Sequence, residues 1–216
     1  MNEAGLRREM VRLTRRLDQL GLNRGTSGNL SARFGEGMLV TPSGMGAEGL
    51  TEDDIVFVDM QGAARGRWRP SSEWLFHRDI LARRAEVGAV VHTHAIAATA
   101  LACLRKDIPR FHYMIALMGG DDIRCAEYAT FGTQQLSDNA LAALHERKAC
   151  LLSNHGMIAV GADLAEAFGI AVEVETLSEL YLRALQAGEP VLLSDQEFQD
   201  VQRRFAGYGK TEGGGG

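Results

Sequence analysis

The segment VGAVVHTH, residues 87–94, narrows the folds open to this chain more than any other. It is short, apolar and rich in β-branched Val, so it reads as a strand buried in a core rather than as a helix. It ends in His92 and His94. Residues two apart on a strand point to the same face, so the two imidazoles would stand side by side at the strand's C-terminal end. Ligands of α/β sheets gather at that end. Two imidazoles there suit a divalent first-row metal.

A buried strand needs cover, and the flanking sequence supplies it. Leu6, Met10, Leu13, Leu17 and Leu20 recur at helical spacing with Arg and Glu opposite, which predicts an amphipathic first helix ending near Gly21. NLSARF, MLVT and DIVFVDM read as strands. RPSSEWLFHRDILARR reads as a helix with Ser71 or Ser72 as its N-cap. AIAATALACL and QLSDNALAALHER are helical, and KACLLSNHGMIAVG gives two short strands around His155-Gly156. DLAEAFGIAVEVETLSELYLRALQAG is a long helix capped by Gly188 and stopped by Pro190, and SDQEFQDVQRRFAGYG is the last helix. With no repeat and no dividing linker, these patterns predict one α/β domain over residues 1–208. The glycine-rich end, 209–216, reads as a disordered tail.

Composition excludes several classes of function. The 216 residues are 45% hydrophobic and 24% charged with a net charge of −5, which is globular and offers no basic run for nucleic acid or anionic membrane. Three cysteines at wide spacing, with no CxxC, argue against a disulfide framework and for a reducing cytoplasm. No segment has the length and apolarity of a signal core or a membrane span.

A third metal ligand must come from His77, His112, His145 or His155. His145 lies in a charged helix end, HERK, and reads as surface. His77 lies in the helix that also carries Glu73, one turn on. His155 follows an apolar strand and precedes a Gly, as His92 and His94 follow theirs, so it is the preferred third ligand. Glu73, at a helix start, adds a carboxylate. The loops GTSGN (25–29), TPSG (41–44) and PSS (70–72) offer free amides and hydroxyls that would cradle a phosphate if they converged, which spacing alone does not reveal. GYGKT at 207–211 lacks the upstream Gly, strand and helix of a P-loop. Asp121 and Asp122, beside GG, read as a solvated turn.

GTSGNLSAR, VTPSGM, PSSEWLFHRDI, AVVHTHA, YATFGT and LLSNHGMIAVG, in this order over about residues 5–208, together resemble the class II aldolase/adducin family. The likeness is closest to its L-fuculose-1-phosphate aldolase branch. A similar branch cleaves 5-deoxyribulose and 5-methylthioribulose 1-phosphates. The resemblance implies a central, mainly antiparallel β-sheet flanked by helices, and a homotetramer with active sites between subunits. It implies zinc, or Mn2+ or Co2+ in its place, on His92, His94 and His155, with Glu73 as the acid/base that also ligates the metal when substrate is absent. It assigns phosphate binding to Asn29, Ser71 and Ser72 with the Thr26, Ser43 and Gly44 loops. Tyr113 would act from the neighbouring subunit, Phe131 would line the aldehyde pocket, and Tyr208 would be a mobile C-terminal tyrosine. SSE is the aldolase form of a motif that related sugar-phosphate 4-epimerases usually write SSD. A methylthioribulose-1-phosphate dehydratase on the same scaffold is a further alternative, and adducin-like modules lack the metal histidines.

The implied reaction gives a small phosphorylated ketose to a metal acting as Lewis acid. Three neutral histidines leave the ion its full charge. Glu73 needs a raised proton affinity for its role, which burial beside Trp74 and Phe76 would supply.

Overall fold

The computed structural model describes residues 2–207, so Tyr208 and the glycine-rich end lie outside the described residues. Nine strands form one sheet in the order β4-β3-β2-β1-β5-β9-β8-β7-β6. They are β1 (Asn29–Phe34), β2 (Gly37–Val40), β3 (Val56–Asp59), β4 (Ala64–Arg65), β5 (Ala89–Thr93), β6 (Ile108–Pro109), β7 (Asp122–Ala126), β8 (Ala149–Leu152) and β9 (Gly156–Gly161). The pairing of β7 with β8 is parallel and the other pairings among the described strands are antiparallel, so the sheet is mixed and mainly antiparallel. VGAVVHTH supplies β5 near the middle, with every residue of the strand buried.

Alternation along the strands builds two cores. Leu30, Leu39, Val91, Leu151 and Ala159 face helices α1 (Glu3–Gln19), α3 (Ile96–Cys103) and α5 (Leu164–Ala187), with Phe198 of α6 (Asp195–Gly207) added at the edge. Val40, Val90, Cys150, Ile158 and Val160 face α2 (Trp74–Arg83) and α4 (Gln134–Ala143). Asp79 of α2 ties these two helices together by accepting from Gln134 Nε2 and Ser137 Oγ, each at 2.7 Å.

Three local expectations shift. The first helix stops one residue before Leu20, which becomes its C-cap and is exposed rather than part of the apolar stripe. The N-cap of α2 is Glu73, not Ser71 or Ser72. Ser71 instead forms the turn before the helix: its carbonyl accepts from Trp74 N, and its Oγ accepts from Glu73 N at 3.3 Å. Asp121 and Asp122 are not a simple solvated turn. They bind the buried Arg147 guanidinium at 3.0 and 2.7 Å, and a Cβ on Gly120 would strike that group. The glycine there makes room for a buried cation.

Candidate metal centre and substrate cavity

Strand register decides which side chains meet. Asn29 on β1 lies directly across from His92 on β5, and Ile158 on β9 lies on the other side of His92. Asn29, Ser31 and His92 therefore share the face covered by α2. His94 follows the end of β5, and His155 occupies the tight turn between β8 and β9, where Asn154 adopts a positive φ of 55°. Gly156 is dictated by close approach, because a Cβ there would come within 2.4 Å of the Thr93 carbonyl. That approach brings the two histidine-bearing segments together.

His92, His94 and His155 each direct a ring nitrogen toward a common point, with the three atoms within 4.8 Å of one another. His92 Nε2 and His94 Nε2 are 3.1 Å apart. Glu73 reaches in from the start of α2, its Oε2 3.2 Å from His92 Nε2 and its Oε1 3.2 Å from His155 Nε2. The tautomer of His92 is set by its other nitrogen, which lies 2.9 Å from the Met157 carbonyl oxygen and must donate to it. In the neutral ring Nε2 is then bare, and its lone pair faces the carboxylate. Glu73 Oε1 is buried and makes no well-directed hydrogen bond. Facing lone pairs in a buried cluster call for a cation between them, and a three-imidazole set with one carboxylate fits a divalent ion of the zinc type.

The electrostatics run the same way. Burial pushes His94 down to about 4, aided by His92 and His155, which keeps it neutral. Burial raises the Glu73 carboxyl, as the sequence implies, but positive charge among His92 and His155 outweighs it and holds the group well below the usual carboxylate range, so the carboxylate favours a cation between itself and the rings. The raised proton affinity expected from burial alone is therefore reversed in this histidine cluster.

A cavity of about 330 Å³ opens beside the cluster. Thr26, Asn29, Ser43, Gly44, Ser71 and Ser72 all line it, so the three loops do converge. The cause is long-range backbone pairing: Pro42 bridges Pro70, Ser43 N donates to Arg69 O, and Ser71 N donates to Thr41 O. Among the described residues lining the cavity there is no Lys or Arg. Phe131 also lines the cavity and is 63% exposed. Tyr128, Ala129 and Asn154 join it there; Tyr128 and Ala129 lie inside the YATFGT motif, which was the signal available for them. Tyr113, in the 3-10 helix Tyr113–Met118, is not among the lining residues; it is half-exposed and its ring stacks on Phe205. His145 is exposed, as expected. His77 is fully buried and contacts Asn29 and Ser31 rather than the metal cluster. Asn23, which the sequence did not flag, is buried and accepts from His94 N at 3.3 Å. A Cβ on Gly28 would overlap its side chain, which is the reason for the glycine in GTSGN.

Residues 8–182 match the model of the class II aldolase and adducin N-terminal domain. The chain belongs to the class II aldolase family. A 5-methylthioribulose-1-phosphate/5-deoxyribulose-1-phosphate aldolase of Rhodospirillum rubrum is 56% identical over 94% of this chain and 92% of its own. An L-fuculose phosphate aldolase of Escherichia coli K12 is 46% identical over 97% of this chain and 98% of its own. A solved L-fuculose 1-phosphate aldolase superposes with a TM-score of 0.90 at 40% identity, over 94% of this chain and 96% of that one. The chain is accordingly an aldolase, a carbon–carbon lyase, with the sheet and helix arrangement of that family. Among the described residues no helix is long and apolar enough to cross a membrane.

Proposed function

We propose that this aldolase cleaves a ketose 1-phosphate to dihydroxyacetone phosphate and an aldehyde, with zinc, or Mn2+ or Co2+, held by His92, His94, His155 and, at rest, Glu73. The observation that carries this reading is the set of three imidazole nitrogens, His92 buried and His94 and His155 half-buried, beside one carboxylate at the edge of a polar cavity. The names of the relatives favour 5-methylthioribulose or 5-deoxyribulose 1-phosphate, with L-fuculose 1-phosphate next. The exposed aromatic rings of Phe131 and Tyr128 in the cavity lining suit an apolar aldehyde.

When bound, the divalent cation supplies Lewis acidity toward the negative charge that develops on the ketose oxygens. The loops at Thr26, Ser43 and Gly44, with Asn29, Ser71 and Ser72, take the phosphate through amides and hydroxyls, anchoring the end that does not react. Tyr113 enters a neighbour's cavity in a cyclic homotetramer and exchanges the proton of the C4 hydroxyl as the C3–C4 bond breaks, taking that proton on its phenolic oxygen while its own passes to solvent. Its exposure and its place outside its own chain's cavity support that origin. Glu73, ionised at rest, takes up a proton from solvent and delivers it to C3, which replaces the proton released from the C4 hydroxyl. Tyr208 takes part in binding the substrate, and the enzyme works in the cytoplasm.

The test is release of dihydroxyacetone phosphate from a panel of fuculose, rhamnulose, 5-deoxyribulose and methylthioribulose 1-phosphates. Release from none would turn the reading to an epimerase or a dehydratase on this scaffold. Glu73→Gln removes the proton carrier and keeps the shape, so it should retain bound metal and lose about 10²–10⁴-fold in turnover. Full turnover in that variant would remove Glu73 from the mechanism.

A further inference from the structure

His77 lies outside the metal cluster yet is joined to it by an unbroken chain of hydrogen bonds. It is fully buried on α2, beneath β1. Its Nδ1 is 2.7 Å from Ser31 Oγ, and its Nε2 is 2.5 Å from Asn29 Oδ1. Asn29 Nδ2 donates to Glu73 Oε2 at 3.0 Å. Ser31 and Asn29 reach His77 together because they are two apart on β1 and face the same way.

The direction of every bond in this chain follows from its last member. An ionised carboxylate only accepts, so Asn29 must turn its NH2 to Glu73 and its carbonyl oxygen to His77. His77 Nε2 must then carry the hydrogen. The neutral ring leaves Nδ1 bare, and Ser31 Oγ–H donates to it. Burial, aided by His92, pushes His77 down to about 3, so the ring stays neutral. Asn29 also lines the cavity, so its amide plane is shared between the carboxylate and whatever occupies the phosphate end.

We propose that His77 is a positioning residue: as the neutral Nε2–H tautomer it locks the Asn29 amide, and through that amide it orients Glu73 and the phosphate end of the cavity. This rests on the ketose-phosphate reading only for its kinetic consequence. Without the Nε2–H donor the amide loses its preferred orientation, its oxygen can turn toward Glu73, and both the carboxylate and the anion lose a donor.

The test uses two variants that order oppositely under a merely structural role. His77→Phe keeps an aromatic ring among Phe76 and the strand and removes both hydrogen bonds. His77→Gln gives up the ring and keeps an N–H donor within reach of Asn29 Oδ1. Loss of a supporting partner of this kind costs about 10–100-fold. The Phe variant should fall by that factor in kcat, with weaker binding of inorganic phosphate, and the Gln variant should recover most of both. A Phe variant better than the Gln variant would show that packing alone matters. Nitrogen NMR of the unmodified protein reads the tautomer without any substrate, and should show Nε2 protonated and Nδ1 bare. The opposite tautomer would overturn the proposal even if the aldolase assay succeeds. If no ketose phosphate is cleaved, the tautomer and phosphate-binding results still decide it.

Discussion

The two faces of the sheet use the same strands for different ends. On the α1/α3/α5 face, Leu30, Ala32, Val91, Met157 and Ala159 are apolar and fully or nearly fully buried. On the α2 face, the alternate positions at the same strand ends are Asn29, Ser31 and His92, also buried. One step along the strand thus converts an apolar contact into a group that needs a partner. The apolar face asks chiefly for volume. The polar face asks for a complete set of hydrogen bonds, because each unpaired buried group there costs about 1–3 kcal/mol. Stability and chemistry are separated by the pleat, not by distance.

That separation predicts a clean result from metal removal. A chelator should abolish turnover, and Zn2+, Mn2+ or Co2+ should restore it. The secondary structure read by circular dichroism should persist, because neither apolar core is built from residues of the histidine cluster. Small zinc domains behave differently and unfold without metal. Turnover that survives exhaustive chelation would break the assignment of the three histidines. Unfolding on chelation would instead break the division between the faces.

The converse change lies one residue from Asn29. Leu30→Ala empties a fully buried site on the apolar face and should cost about 2–5 kcal/mol in chemical denaturation. Metal binding by the folded fraction should be unchanged, since Leu30 points away from the cluster. A large loss of metal affinity at full folding would show that the faces communicate through β1.

The elements of this fold were legible because periodicity is local. Strand alternation, helical spacing and the Gly188-Pro190 stop can all be read within a window of a few residues. His92 and His94 were legible for the same reason, and His155 by its repeated strand-end setting. What stayed hidden was produced by contacts far apart in sequence. Convergence of the phosphate loops depends on Pro42 meeting Pro70, and the brace on His94 on Asn23, 71 residues earlier. His77 carried no distinguishing signal, since a buried histidine on a helix reads equally as core or as ligand. Glu73 misled in one respect: its burial is visible in the pattern, but the two histidines that reverse its proton affinity come from β5 and from the β8–β9 turn.

The smallest effect belongs to another long-range contact. Helix α3 starts two residues after His94, and the residue at its N-cap, Ala95, has no side chain able to bond the first amides. Glu175 of α5 supplies the missing acceptors, one carboxylate oxygen to Ala97 N and the other to Ala98 N, each at 2.9 Å. It also places a negative charge at the positive end of the helix dipole. Glu175→Ala should destabilise the fold by about 0.5–2 kcal/mol, the range of a lost N-cap. The denaturation midpoint should move with an unchanged slope. Because Glu175 sits on the apolar side, metal affinity should hold within a few-fold, as for Leu30→Ala. An unaltered midpoint would mean that water replaces the carboxylate at no cost. A selective loss of metal at an unaltered midpoint would show that the cap serves His94 rather than the helix, and that the apolar side takes part in shaping the site.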